Sequence, residues 1–283
     1  MAAIEELTLR PVRPADEQRV LEITEDVWEG CDYIPRVFER WVSDAGAEFQ
    51  AAEVDGVVVG VQRLRPYAPG LVWYEGLRVA TSHRRRGIAR AMLQAAIEEA
   101  RQQGFREMRL ATRDEPAVRL FESAGFARIV ELRWWRAPRM EGGEPARIPD
   151  MSEAQRLWAM VSASRGVDLY GGVSPDMNGA RDLEAGEIER LAQKGLIRVG
   201  PGSLALALLR TAWGANIAVP LVAGSGGALR DLLMALRFEA DADGLNHVTI
   251  NLPPAHPAEE DLKATGYDFA DAERNAYVYA LRL

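Results

Sequence analysis

An α/β fold built on a mixed sheet, present twice in tandem, is predicted for this chain of 283 residues by three observations. Strand-like apolar runs alternate with amphipathic stretches of helical period. A basic turn carrying one glycine, Arg84-Arg85-Arg86-Gly87-Ile88-Ala89, sits where one strand gives way to a helix. Two glycine–aromatic stops, Gly125-Phe126 and Gly266-Tyr267, lie 141 residues apart, and the same step from Gly87 reaches Ala228, one residue past a second glycine turn, Gly224-Ser225-Gly226-Gly227. Landmarks that keep nearly one interval indicate a duplicated unit.

Element by element, Pro14-Ala15-Asp16 opens a helix to about Val27, with Val20, Leu21, Ile23, Thr24 and Val27 at helical spacing. The loop Gly30-Cys31-Asp32-Tyr33-Ile34-Pro35 leads to a second helix through Val37, Phe38 and Trp41. Residues 48–54 and 57–64 read as strands joined by Asp55-Gly56, a strong hairpin signal. The strand Leu71–Val79 follows, then a helix over 87–103 with Ile88, Ala91, Met92 and Ala95 as its buried stripe and Gly104 as its stop. A strand (Met108–Ala111), a helix (Pro116–Ser123) and a strand (Arg128–Trp135) complete the first unit. Residues 137–150 carry three prolines and two glycines, a linker composition. Ser152-x-x-Gln155 has the form of a capping box on the next helix. The second unit repeats the order: a strand (Ile217–Ala223), the glycine turn, a helix bearing Leu229, Leu232, Leu233 and Leu236, a strand (Val248–Leu252), a helix after Pro257 and a strand (Ala276–Leu281). The expected division is therefore 1–138, a linker at 139–150, and 151–283.

Composition narrows the class. Apolar residues make up 48% and charged residues 27%, as in an ordinary globular protein. The acidic opening, Met1 to Glu6, lacks the basic-then-apolar pattern of a secretory leader, and no apolar run approaches the length of a membrane span. The single cysteine, Cys31, excludes an internal disulfide and fits a reducing, cytoplasmic setting. A net charge of −8 argues against nucleic acid or an anionic membrane as main partner. Against that background the cations at 84–90 mark a local pocket for a small anion. Gly87 lets the backbone turn sharply, and the N–H groups of the following helix point outward with the positive end of the helix dipole behind them. Together with three arginines they form a docking site for a pyrophosphate. The plainer reading of the arginines alone is a solvated basic turn. The second glycine turn has no arginine and offers backbone N–H groups alone.

The stretch Leu77-Arg78-Val79-Ala80-Thr81-Ser82-His83-Arg84-Arg85-Arg86-Gly87-Ile88-Ala89 resembles the acyl-CoA-binding signature of the GNAT superfamily of N-acetyltransferases, with Arg84, Gly87 and Ala89 at the specified positions and Thr81 where Pro is frequent. Asp114-Glu115-Pro116-Ala117-Val118-Arg119-Leu120-Phe121-Glu122-Ser123-Ala124-Gly125-Phe126 resembles the second signature of that superfamily, with Asp114 for the usual Asn and Phe121 for the Tyr that often serves as general acid. By these motifs residues 1 to about 138 are identified as a member, and the second half as a degenerate GNAT-like domain.

The resemblance implies direct attack of an amine on the thioester of acetyl-CoA, with no metal. It puts the thioester carbonyl near the N–H groups of Leu77 and Val79, and the pyrophosphate on Arg84, Arg85, Arg86, Gly87, Ile88 and Ala89, with Arg90 one turn on. Glu75 is the candidate base; strict alternation puts it on one face with Trp73, Leu77 and Val79. A paired surface carboxylate, or one that binds the ammonium group, is the alternative. Tyr33 is the candidate acid in place of Phe121, or else an aromatic anchor of its loop. Asp32 would pair with a cationic acceptor or cap a helix, and Trp73 would line the acceptor site or the core. Cys31 is expected to be a small buried residue. Gly30-x-Asp32-Tyr33-Ile34-Pro35 and Glu75-Gly76-Leu77-Arg78-Val79 also look like segments of the histidine N-acetyltransferase-like branch. The implied function is acetyl transfer to a small primary amine, such as the α-amino group of an amino acid. A CoA-binding sensor or scaffold without turnover is the alternative, and a homodimer is compatible with either.

Overall fold

A computed structural model describes residues 7–176, 178–210, 215–270 and 275–283, so the acidic opening 1–6 lies outside the described residues. Two units emerge from the packing. Unit 1 holds 1–110, 116–127 and 280–283; unit 2 holds 111–115 and 128–279.

Unit 1 starts with β1 (Thr8–Pro11), α1 (Glu17–Thr24) and α2 (Ile34–Ser43), followed by β2 (Glu48–Val54), β3 (Val57–Ala68) and β4 (Leu71–Val79). These strands pair antiparallel in the order β1-β2-β3-β4. Asp55 and Gly56 take φ of 51° and 76°, the left-handed pair that the β2–β3 hairpin turn requires. From β4 the chain crosses through α3 (Ile88–Gln102) to β5 (Glu107–Thr112), which lies parallel to β4 over Leu71–Trp73 against Glu107–Arg109, and then enters α4 (Glu115–Ser123). One helical face explains each helix. α2 buries Ile34, Val37, Phe38 and Trp41, with the Trp41 ring 5.2 Å from that of Phe49. On α3, Ile88 and Met92 join Ala52, Val54 and Val59 in a cluster that also receives Leu77 and Val79. Burial of side chains this size contributes about 1.5–3 kcal/mol each. The α3 stripe runs through Leu93, Ala96, Ile97 and Ala100, while Ala91 and Ala95 are only half-buried. Residues 280–283 close this unit, the Leu283 N–H donating to the Arg106 carbonyl at 3.0 Å.

Unit 2 contains β6 (Ala127–Pro138), α5 (Ala154–Ser162), α6 (Arg165–Asp168), β7 (Val173–Asp176), β8 (Gly179–Asp182), α7 (Ala185–Gln193), β9 (Ile197–Val199), β10 (Leu206–Leu208), β11 (Asn216–Val219) and β12 (Leu221–Ala223). It continues through α8 (Gly226–Ala242), β13 (His247–Leu252), α9 (Glu259–Ala264), β14 (Asp268–Phe269) and the start of β15 (Ala276–Arg282), whose residues from 280 on are counted in unit 1. β11 and β13 are parallel and joined through α8, as β4 and β5 are through α3, and α9 follows β13 as α4 follows β5. The duplication is real at the level of topology. β6 pairs antiparallel with β13, so residues 128–138 belong to unit 2, whereas the sequence expectation ended the first domain at 138.

Three local expectations shift. The first cap of the second half is Asp150 with Glu153, two residues before Ser152-x-x-Gln155: the Ser152 N–H donates to Asp150 and the Asp150 N–H to Glu153. The expected strand Ile217–Ala223 splits at Pro220 into β11 and β12, which pair with β13 and β10 respectively, as suits a residue that cannot donate to a ladder. The duplication interval also drifts, from 138 between Gly87 and Ser225 at the helix starts to 141 between Gly125 and Gly266, because α8 begins ahead of Ala228.

Candidate functional site

At the end of β4 the chain turns through Thr81–His83 and reaches α3 with Arg85 at φ 63° and Gly87 at φ 85°. Gly87 is the N-cap residue, and no side chain caps the helix, so its first-turn N–H groups are left for other acceptors. Arg84, Arg85, Arg86, Gly87 and Arg90 are exposed, Ala89 half-buried and Ile88 buried. The Arg84 Nε donates to the Val79 carbonyl at 3.0 Å, and its Nη2 lies 3.4 Å from Asp26. The Thr81 hydroxyl also donates to Asp26, at 2.7 Å, and this bond holds the Asp26 carboxyl below the usual carboxylate range. Arg90 donates to the Ser123 hydroxyl at 3.2 Å. A cleft of about 720 Å³ adjoins the turn, lined by Arg19, Glu22, Ile23, Glu25, Asp26 and residues 80–82. Uncapped amides, a helix dipole and exposed guanidinium groups form a donor set that fits a diphosphate.

One turn of strand earlier, Gly76 takes φ 72°. Arg63 stands opposite Glu75 and Val61 opposite Arg78, so three residues of β4 cover the span of two on β3. This bulge corrects the expectation from strict alternation: the extra residue reverses the pleat, so Leu77 and Val79 pack toward Ile88 and Met92 while Glu75 reaches the buried Arg63. The Glu75 side chain is 11% exposed. Arg63 and the Arg65 Nε, the latter at 3.0 Å, both donate to its Oε1, leaving Oε2 without a hydrogen bond among the described residues. Arg63 also donates to Asp44, and its guanidinium lies 4.7 Å from the Trp41 ring centroid. Burial lowers the Arg63 pKa, and the Glu75 carboxylate opposes that shift.

Arg78 organises the neighbouring loop. Its Nε donates to Asp32 Oδ2 at 2.6 Å and its Nη2 to Oδ1 at 3.1 Å, while the guanidinium lies 4.7 Å from the Trp28 ring and 5.5 Å from the Tyr33 ring. Trp28 and Glu29 sit at φ 48° and 58°, left-handed conformations that cost about 1–2 kcal/mol each. The Trp28–Tyr33 stack, 6.1 Å between ring centroids, helps hold them there. The Tyr33 hydroxyl hydrogen-bonds the Gly76 backbone; burial raises its pKa, with Arg78 opposing and Glu75 and Asp32 adding to the rise.

Glu75 and Tyr33 are thus brought to one bulge, and Arg84 to Arg90 to one helix start. Of the two readings open for Asp32 and for Trp73 the structure shows the plainer, a helix-start cap and a core ring, and the expectation of a buried Cys31 is corrected. Asp32, with its side chain 1% exposed, is neutralised by Arg78 and accepts the Ile34 N–H at 3.1 Å, so it shapes the loop and presents no open carboxylate to a cationic acceptor. Trp73 is 1% exposed and lines no accessible surface. Cys31 is exposed. Phe121 is buried edge-on against Tyr74, whose hydroxyl is itself committed to Gln62 at 3.0 Å. Arg63 and Arg78 went unread in the sequence, although charged residues inside otherwise apolar strands were a signal for them. Among the described residues no group of three or more His, Cys, Asp or Glu is arranged to hold a metal ion, and no helix is long and apolar enough to cross a membrane.

The family model described as "Acetyltransferase (GNAT) family" matches residues 16–126. An uncharacterized N-acetyltransferase from the hisH-hisA intergenic region of Azospirillum brasilense is 32% identical over 128 residues, 41% of this chain and 70% of that one. N-acetyltransferase family 8 member 3 of Rattus norvegicus is 34% identical over 106 residues, covering 35% of this chain and 45% of that one. Histidine N-acetyltransferase of Oreochromis niloticus is 26% identical over 110 residues, covering 38% and 33%. The chain therefore spans less than half the length of these last two. A solved tandem GNAT protein from the clavulanic acid biosynthesis pathway superposes over 98% of both chains with a TM-score of 0.58 at 14% identity, a likeness of fold. By these similarities the chain belongs to the GNAT family of acetyltransferases.

Proposed function

We propose that the protein transfers an acetyl group from acetyl-CoA to a small primary amine, the α-amino group of an amino acid being the acceptor class. The observation that carries this is that β4 bears a carboxylate with an oxygen left open, Glu75, and leads through one turn into an uncapped helix start flanked by Arg84, Arg85 and Arg86. The likeness to a histidine N-acetyltransferase supports the acceptor class.

Acetyl-CoA supplies the acetyl group as a thioester. The amides of Ile88 and Ala89, with the three arginines and Arg90 nearby, would hold its diphosphate, and the backbone at Leu77 and Val79 would orient the acyl end. Glu75 takes the proton of the incoming ammonium group through Oε2, its other oxygen being fixed by Arg63 and Arg65. Tyr33 carries its proton at neutral pH, as any phenol does, and offers a hydrogen bond where negative charge develops on sulfur; burial, which raises its pKa, works against full proton transfer. Arg63, Arg78 and Asp32 position these two groups.

Thiol release from acetyl-CoA, measured across a panel of amino acids and polyamines, tests the reading. Release with at least one α-amino acid, greater than with any polyamine, is expected. Tight CoA binding with no thiol release from any amine would establish the second reading, a sensor or scaffold, which the missing hydroxyl at Phe121 favours.

A further inference from the structure

In unit 2 the strand–turn–helix step is built a second time, and it is already occupied. β12 ends at Ala223, Gly224 turns the chain at φ 111°, and Ser225 leads into α8 without a side-chain cap hydrogen bond of its own. A Cβ at Gly224 would meet the Ala205 Cα at 2.8 Å, so glycine is needed for this close approach, as Gly87 is for the left-handed cap of α3. The Gly226 N–H donates to Asp261 Oδ2 at 2.9 Å, and the Arg230 Nε donates to Asp261 Oδ1 at 2.7 Å. Asp261 stands on α9 and is 5% exposed. A buried carboxylate thus holds an amide of the helix start and a guanidinium one turn further on, two of the contact types that a phosphate would make there.

Unit 1 shows the same parts in the open arrangement. Arg90 of α3 also reaches back to the helix that follows the next strand, but α4 presents a hydroxyl, Ser123, and no carboxylate. The carboxylate nearest the unit 1 turn, Asp26, is exposed and 3.4 Å from Arg84, a contact an incoming anion can displace. We propose that Asp261 is a built-in anion that closes the phosphate-type turn of unit 2, and that removing its charge opens this turn to inorganic diphosphate. The proposal rests on the reading of the unit 1 turn as a diphosphate site.

The test uses the full chain as wild type, D261S, which replaces the carboxylate by a short hydroxyl, and D261N, which keeps the side-chain shape should D261S fold poorly. Hydrogen–deuterium exchange is followed across residues 224–230 with and without millimolar inorganic pyrophosphate. Loss of one charge-assisted hydrogen bond should speed exchange of the Gly226 amide about tenfold or more in D261S. Pyrophosphate should restore protection at 226–230 in D261S, more weakly in D261N, and leave the wild type unchanged there. The absence of pyrophosphate protection in both variants overturns the proposal, as does equal protection in the wild type. Peptides covering 84–91 report separately in the same experiment. If these fail to respond in any form of the protein while 226–230 respond in D261S, the unit 1 reading has failed and the unit 2 closure stands.

Discussion

Replacing Gly76 by alanine should damage this protein twice over, and the two effects can be separated. At φ 72° a side chain costs about 1–2 kcal/mol. A Cβ there would also lie 2.8 Å from Trp41 Cζ3 and 3.0 Å from Cη2. Trp41 cannot step aside easily: it is 4% exposed and in ring contact with Phe49 and Tyr33, with Arg63 over its face. Overpacking of that kind costs about 1–3 kcal/mol, so the expected total is about 2–5 kcal/mol. Gly56→Ala is the control, since Gly56 has φ 76° and open space at its Cβ position, and should cost only the conformational part. Urea unfolding followed by circular dichroism measures both. The Gly76 variant should also lose turnover at a temperature where it remains folded, because a displaced Trp41 moves Arg63 and with it Glu75. If the two substitutions agree within about 0.5 kcal/mol, the packing part of the reasoning is wrong.

Glu75→Gln should lower kcat by about 100- to 10,000-fold while leaving the Kd for CoA nearly unchanged, and the loss should shrink at high pH where the amine is already neutral. Calorimetry on Arg84→Ala should show CoA binding weakened by about 1.5–3 kcal/mol, close to 10- to 150-fold, the cost of one charge-assisted hydrogen bond. His256 should give stability a pH dependence. It is 3% exposed, accepts the Ala258 N–H through Nδ1, and burial lowers its pKa from 6.5 to about 4. The unfolded chain then binds a proton that the folded one refuses, so stability contributed above pH 6.5 is lost as pH falls toward 4, by up to about 3 kcal/mol. Thermal unfolding across that window should show a smaller loss in His256→Phe than in the wild type.

Most elements of the fold, and the glycine turn that starts α3, were legible because they are written in local signals. Asp55-Gly56, Gly104 and Gly125 all adopt the left-handed backbone their positions suggested, and Gly87 caps α3 as its place in the turn required. The region around Gly76 was only partly legible. Period-two reasoning named Glu75 but assigned the wrong companions, since a bulge is a pairing event between β3 and β4 and leaves no mark in β4 alone beyond Gly76 itself. Asp32 was left between an open carboxylate and a helix cap because its partner, Arg78, lies 46 positions away. The strand break at Pro220 could have been anticipated from the missing donor of proline.

Residues 280–283 belong to the same unit as residues 1–110, although about 150 residues of the other unit intervene. During synthesis at roughly 5–20 residues per second, unit 1 therefore waits on the order of 10–30 s for its last piece. Until then unit 1 exists only in an unfinished form in which the Arg106 carbonyl lacks its partner from residue 283. Such late, long-range closure slows folding and extends the time in which a growing chain exposes a sheet edge to its neighbours. Completion of unit 1 is thereby tied in time to the synthesis of unit 2.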